Sequence, residues 1–176
     1  MPASEIILPD AETLFADLQA KSQAWFASKK HPVGIVGIHT GGWLLVERLY
    51  ETMQGALPIG MIDISFYRDD VGRLGLHPQV KPSKIFFEVD DCHILLVDDV
   101  LYTGRTVRAA MNEIFDYGRP ASITLAVLVD RGGRELPICP QIASMSIDLP
   151  PTVHLDLVQE ESKRFAFRLT TYQEPA

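Results

Sequence analysis

The chain has 176 residues, 47% hydrophobic against 22% charged, with a formal net charge of −7. That balance describes one folded domain spanning residues 1–176 with a proper core, and it excludes a disordered chain. It also argues against a broad nucleic-acid surface, which needs clustered Lys and Arg. No apolar stretch approaches the ~20 residues that cross a bilayer, and Glu5, Pro9 and Asp10 stand where a signal peptide would carry basic residues.

Asp10 is placed to cap a first helix in which Leu14, Leu18, Trp25 and Phe26 recur on one face. Lys29 to Pro32 end it, and Val33 to Ile38 read as a buried strand. Thr40-Gly41-Gly42 then opens a helix carrying Leu44, Leu45, Leu49 and Tyr50. Ile59 to Tyr67 read as a third strand. From Arg68 to Lys84 apolar periodicity fails while Asp, Gly and Pro accumulate; a loop of that length in a compact domain is functional or disordered.

Ile94 to Val97 form an unbroken apolar run that leads directly into Asp98 and Asp99. Such a run reads as a strand buried on both faces of a parallel sheet. The acids then stand at its carboxyl end, where open α/β sheets keep their ligand crevice. Thr103, Gly104, Arg105 and Thr106 open the next helix, with Val107, Met111, Ile114 and Phe115 turned inward and Gly118 as its stop. Ile123 to Val129 give another buried strand. Four prolines break the tail before Val153 to Val158 and Phe165 to Leu169. The alternation predicts an α/β fold: a doubly wound parallel sheet flanked by helices, with a small C-terminal region added.

Small hydroxyl residues at a helix N-terminus leave backbone N–H groups free for an anion. Carboxylates beside such a cradle suit a phosphorylated sugar whose hydroxyls donate to the acids. Two acids at a strand end also occur in Walker B segments, but no Gly-x-x-x-x-Gly-Lys-Ser/Thr and no Gly-x-Gly-x-x-Gly is present. Five scattered histidines lack metal-binding spacing, and Cys92 and Cys139 give neither a disulfide framework nor a ligand set, so reduced thiols, Cys139 as a buried or half-buried filler, and a cytoplasmic location are expected.

The segment ILLVDDVLYTGRT resembles the phosphoribosyl-pyrophosphate (PRPP) signature of type I phosphoribosyltransferases. With GIVGIHTGG, DISFYRDD and GRPASITLAVLVDRGGRELPI, the chain is similar over nearly its whole length to the PyrR family of pyrimidine operon regulators and uracil phosphoribosyltransferases. The resemblance implies the type I phosphoribosyltransferase fold with a C-terminal hood, and the reaction of uracil with PRPP to give UMP and pyrophosphate. It gives Asp98 and Asp99 to the ribose hydroxyls, and Val100, Leu101, Tyr102, Thr103, Gly104, Arg105 and Thr106 to the loop that holds the 5′-phosphate. It makes Thr40, Gly41 and Gly42 the pyrophosphate loop, although an ordinary strand-to-helix turn would read alike. Arg68 and Arg73 become cations of a closing catalytic loop, or else solvated loop arginines. Arg131 and Val158 are candidates for base contact, or else an ion-paired arginine and a core valine. Mg²⁺ is expected as the PRPP chelate, with no site made by the protein alone, and a homo-oligomer, dimer or tetramer, is expected.

Two departures matter. Many PyrR-like chains read Thr-Arg-Gly where this one has Thr40-Gly41-Gly42, so a cation near the leaving group is missing. The segments that carry bases in RNA-binding relatives are also poor in them: the first helix has only Lys21 before Lys29, and CPQIASMSIDLPP has none. An enzyme is therefore the favoured reading, with weak leader-RNA binding. The alternatives are a UMP-responsive RNA-binding attenuator with little catalytic activity, a purine or orotate phosphoribosyltransferase, and a catalytically dead binding module.

Overall fold

The computed structural model describes residues 8–30, 32–64 and 83–172. Asp10 caps helix α1 (Ala11–Ser28), its side chain accepting from the Thr13 amide at 3.2 Å. Strand β1 (Val33–Ile38) is buried along its entire length and leads through His39 and Thr40 into α2 (Gly41–Thr52). Then come β2 (Ile59–Ile62), β3 (Lys84–Ile85), β4 (His93–Leu101), α3 (Arg105–Tyr117), β5 (Ser122–Asp130) and β6 (Ile142–Ser146). The chain ends in a hairpin of β7 (Val153–Gln159) and β8 (Phe165–Thr171).

Six strands form one sheet in the order β3-β2-β1-β4-β5-β6. Five run parallel; β3 alone pairs antiparallel with β2, so the sheet is mixed at that edge. Alternation of side chains along the strands divides the core into two layers. Ile35, Leu95, Val97, Ala126 and Leu128 meet α1 and α2 on one face. Val36, Ile62, Ile94, Leu96 and Val127 meet Val107, Ala110 and Ile114 of α3 on the other. Leu155, Leu157 and Phe165 of the hairpin join the first layer, which seats β7–β8 against α1 and α2 at one end of the sheet.

Several expectations are corrected. Lys84 belongs to an edge strand rather than closing a loop. The strand from Ile59 stops at Ile62, Asp63 and Ile64 lying beyond it; the rest of that segment, including Arg68 and Arg73, falls outside the described residues. β6 was not anticipated, because IASMS has neither an apolar run nor clean alternation. Phe115 is 54% exposed rather than inward, one residue past the buried stripe of Val107, Ala110 and Ile114. Cys139 is exposed, not a buried filler, while Cys92 is buried.

Candidate functional site

The carboxyl ends of β1 and β4, the start of α3, and the hairpin strand β7 enclose a cavity of 760 Å³. β4 does not stop at the acids: it runs on to Leu101, which pairs with Asp130 of β5. Asp98 and Asp99 therefore stand on rigid strand backbone and line the cavity together. Asp98 is 6% exposed, and one of its oxygens accepts from the Asp99 amide at 3.1 Å.

Asp99 turns toward β1–α2 and the hood. Its Oδ2 accepts from the Leu157 amide at 3.3 Å. A Cβ built on Gly41 would lie 2.2 Å from the Asp99 carboxyl carbon, so the carboxylate fills the space that a side chain at residue 41 would need. Burial pushes the Asp99 carboxyl above its ordinary range, against hydrogen bonds from the Asp98 side chain and the Leu157 and Val100 amides that pull it down. Gly42 is equally constrained: a Cβ there would lie 2.2 Å from the Val97 carbonyl oxygen. These two glycines let the α2 N-terminus come down onto the acids. The His39–Thr40 peptide is cis, the Thr40 hydroxyl lies 3.0 Å from His39 Nδ1, and that nitrogen is 3.8 Å from the buried Asp63 carboxylate.

Between β4 and α3 the backbone reverses at Gly104, the residue before the first turn of α3, with φ of 91°. A left-handed residue there directs successive amides into one concavity, the geometry of an anion nest. The Thr103 hydroxyl accepts from the Arg105 amide at 3.3 Å, and the Arg105 side chain donates to Glu135 at 2.6 Å. Tyr102 packs on Gly133, where a Cβ would come within 2.3 Å of its ring.

Arg131 is 2% exposed, with its guanidinium 4.0 Å from the centre of the Tyr102 ring. It donates to the Pro150 carbonyl at 3.0 Å, and its Nε has no hydrogen-bond partner among the described residues. Arg131 also lines the cavity, so part of its side chain borders the ligand space while the Nε is buried behind it.

Most of the residues expected from sequence meet here: Thr40, Gly41, Asp98, Asp99, Val100, Tyr102, Thr103, Gly104, Arg105, Thr106 and Arg131 all line the cavity. Gly42, Leu101 and Val158 do not. Gly42 and Leu101 are buried beneath the lining, and Val158 is half-buried, one residue past the hairpin's contribution of His154 to Leu157. His39, Glu135, His154 and Asp156 line the site without having been anticipated. Glu135 sits in the RELPI segment and His39 beside the glycine turn, so both had a local signal. The hairpin polar residues had none, because strand alternation does not say which face meets a cavity. Among the described residues no group of three or more His, Cys, Asp or Glu could hold a metal ion.

Residues 8–148 match the family model of the phosphoribosyl transferase domain. A bifunctional protein PyrR from Nitrosococcus oceani is 48% identical over 160 residues, covering 89% of this chain and 90% of that one. Its counterpart in Pseudomonas paraeruginosa is 54% identical over 123 residues, or 70% and 72%. Among solved structures, a hypoxanthine phosphoribosyltransferase from Staphylococcus aureus superposes with a TM-score of 0.63 at 19% identity, covering 82% of this chain and 78% of the other. The HGPRT-ase of Leishmania tarentolae, in complex with GMP, gives 0.57 at 17% identity and 85% of each chain. At such identities these superpositions speak for the fold alone.

Proposed function

The chain belongs to the PyrR family of phosphoribosyltransferases, and on that premise we propose that it joins uracil to PRPP, yielding UMP and pyrophosphate. One observation carries the proposal: the β4 carboxylates and the amide nest at the α3 N-terminus open into the same cavity, as a ligand with both sugar hydroxyls and a phosphate requires.

In the reaction the bond from ribose C1 to pyrophosphate breaks, N1 of uracil bonds to C1, and the N1 proton is lost. Positive charge develops on the ribose while negative charge collects on the leaving group. Asp98 accepts a ribose hydroxyl and offsets the cationic ring, an effect greatest in the transition state. Thr103, Gly104, Arg105 and Thr106 hold the 5′-phosphate through backbone amides and hydroxyls. Thr40 and the free amides at the start of α2 face the pyrophosphate. Arg68 and Arg73 would add the cations that this loop lacks at Gly41. Arg131 meets a carbonyl of the base from the cavity wall, and the hairpin from His154 to Leu157 covers the base; their shared lining of the cavity supports this.

Mg²⁺ fits as the chelate of PRPP: the hard oxygens of the Asp98 and Asp99 carboxylates suit it, and pyrophosphate and sugar hydroxyls supply the rest of its preferred shell. Bound in that way it would neutralise charge on the leaving pyrophosphate. A cytoplasmic location and a homo-oligomeric state go with this reading.

Incubating the protein with PRPP, magnesium and radiolabelled uracil, with hypoxanthine, adenine and orotate in parallel, tests it. UMP and pyrophosphate should form in equal amounts from uracil. Turnover of hypoxanthine in preference to uracil would overturn the base assignment.

A further inference from the structure

The segment after β5 contains an arginine that the reaction as described does not use. The Arg134 guanidinium collects the carbonyl oxygens of Ile138 at 2.9 Å, Gly132 at 3.1 Å and Leu101 at 3.4 Å, together with that of Tyr102. Its remaining arm pairs with the Asp130 carboxylate, which also accepts from the Gly132 amide at 3.1 Å. Immediately beside it, the Glu135 and Leu136 amides both donate to the Thr103 carbonyl, at 3.0 and 3.1 Å. The Leu101 carbonyl also accepts from the Arg131 amide at 3.0 Å, so three consecutive carbonyls, that of Leu101 at the end of β4 and those of Tyr102 and Thr103 after it, are held by residues 131–136.

A trans peptide is planar, and its N–H points opposite to its C=O. Fixing those three carbonyls toward residues 131–136, with Arg134 holding that of Tyr102, turns the amides of Tyr102, Thr103 and Gly104 the other way, and all three residues line the cavity. Neither Thr103 nor Gly104 donates its amide to a protein group among the described residues. We propose that Arg134 is the positioning residue of this nest: it orients the amides that receive the sugar 5′-phosphate without touching the ligand. The proposal rests on reading residues 103–106 as the 5′-phosphate site and says what preorganises it. The physical gain is that five N–H donors in a rigid fork match several carbonyls at once. Lysine, with three donors on a flexible stem, cannot reproduce that fan.

The test is calorimetric binding of ribose 5-phosphate to the full chain, with steady-state KM for PRPP and for uracil measured alongside. Wild-type protein should bind ribose 5-phosphate. Arg134→Gln should weaken that binding about tenfold, the scale set by losing one charge-assisted hydrogen bond. KM for PRPP should rise likewise while KM for uracil stays near wild type. Free guanidinium should partly restore ribose 5-phosphate binding to Arg134→Ala. If Arg134→Gln does not fold, Arg134→Lys provides the same comparison and should lose PRPP affinity selectively, though less.

Wild-type affinity for ribose 5-phosphate in folded Arg134→Gln would overturn the positioning role and leave the phosphate site standing. Equal losses toward PRPP and uracil would overturn it too, since a merely structural arginine would do that. Failure of the wild-type protein to bind ribose 5-phosphate would overturn the site reading itself, and the proposal with it.

Discussion

Gly41 and Asp99 occupy one space between them, and that decides how this site differs from relatives with arginine at the same point. A Cβ at residue 41 would sit 2.2 Å from the Asp99 carboxyl carbon, so any side chain there requires Asp99 to move. Gly41→Ala should therefore cost about 1–3 kcal/mol, the range for forcing an atom into a packed site. In an Asp99→Ala background most of that cost should vanish, giving a coupling of roughly 1 kcal/mol or more in a double-mutant cycle followed by urea unfolding. Additive losses would show that the clash relaxes elsewhere. Asp99 also titrates in a characteristic direction. Burial raises its pKa above the ordinary 3.8, so the native state binds its proton more tightly than the unfolded chain does. Its contribution is fully present below that ordinary value and is lost as pH rises through the raised one. Asp99→Asn, which cannot ionise, should accordingly gain stability relative to wild type as pH climbs from 4 toward neutrality. A pH series of denaturation midpoints with a constant difference would refute this. At the residue scale the acids and the Thr-Gly-Arg-Thr turn were legible because they are contiguous and their chemistry is local. His154 and Asp156 were not, since only the folded hairpin brings them to the cavity.

The elements most clearly written in the sequence are those with an unbroken apolar run or a cap. β1 and β5 and both ends of α1 follow this pattern, within a residue of expectation. The two edge strands β3 and β6 escaped it, because a strand paired on one side needs little apolar burial. Docking of the hairpin also escaped it, for it depends on a polar tie. Arg48 of α2 meets Glu12 of α1 at 2.7 Å and lies 3.5 Å from the centre of the Phe165 ring on β8. Glu12 in turn accepts from the Phe165 amide at 2.5 Å, joining both helices and the hairpin. Burial alone would raise the Glu12 carboxyl, but Arg48 and the Phe165 amide outweigh it and the net shift is downward. Arg48→Met should then cost about 1–2 kcal/mol, below the value for a fully buried pair because both side chains retain some solvent. Hydrogen exchange should quicken in β7 and β8 more than in β4. For Glu12 the sign is the reverse of Asp99: its stabilisation is present above its ordinary pKa and is lost as pH falls through the lowered one. The penalty of Glu12→Gln should accordingly shrink below pH 4. Uniform loosening of the whole sheet in Arg48→Met would instead assign the arginine to general stability.

For the whole molecule the decisive quantity is how its positive charges are distributed over the surfaces where relatives carry bases. The net charge is −7, and a nucleic-acid surface would have to be assembled locally against that background. On α1, Lys21 pairs with Asp17 at 2.6 Å and donates to the Ala143 carbonyl at 2.8 Å, while Lys29 lies 5.4 Å from the centre of the Trp25 ring. Arg105 and Arg134 are held by Glu135 and Asp130. The stretch from Cys139 to Pro151 contributes no base. Each phosphate contact adds about 0.7 to the slope of log affinity against log salt for a single strand, so a shallow slope and a low affinity belong together. Pyrimidine leader RNA should therefore bind with a dissociation constant weaker than ~1 μM at ~0.15 M salt, the range of non-specific association, and UMP should change it little. Filter binding with and without UMP across a salt series measures both quantities. Tight, UMP-stimulated, sequence-specific binding would overturn the expectation that charge keeps this chain off the leader RNA.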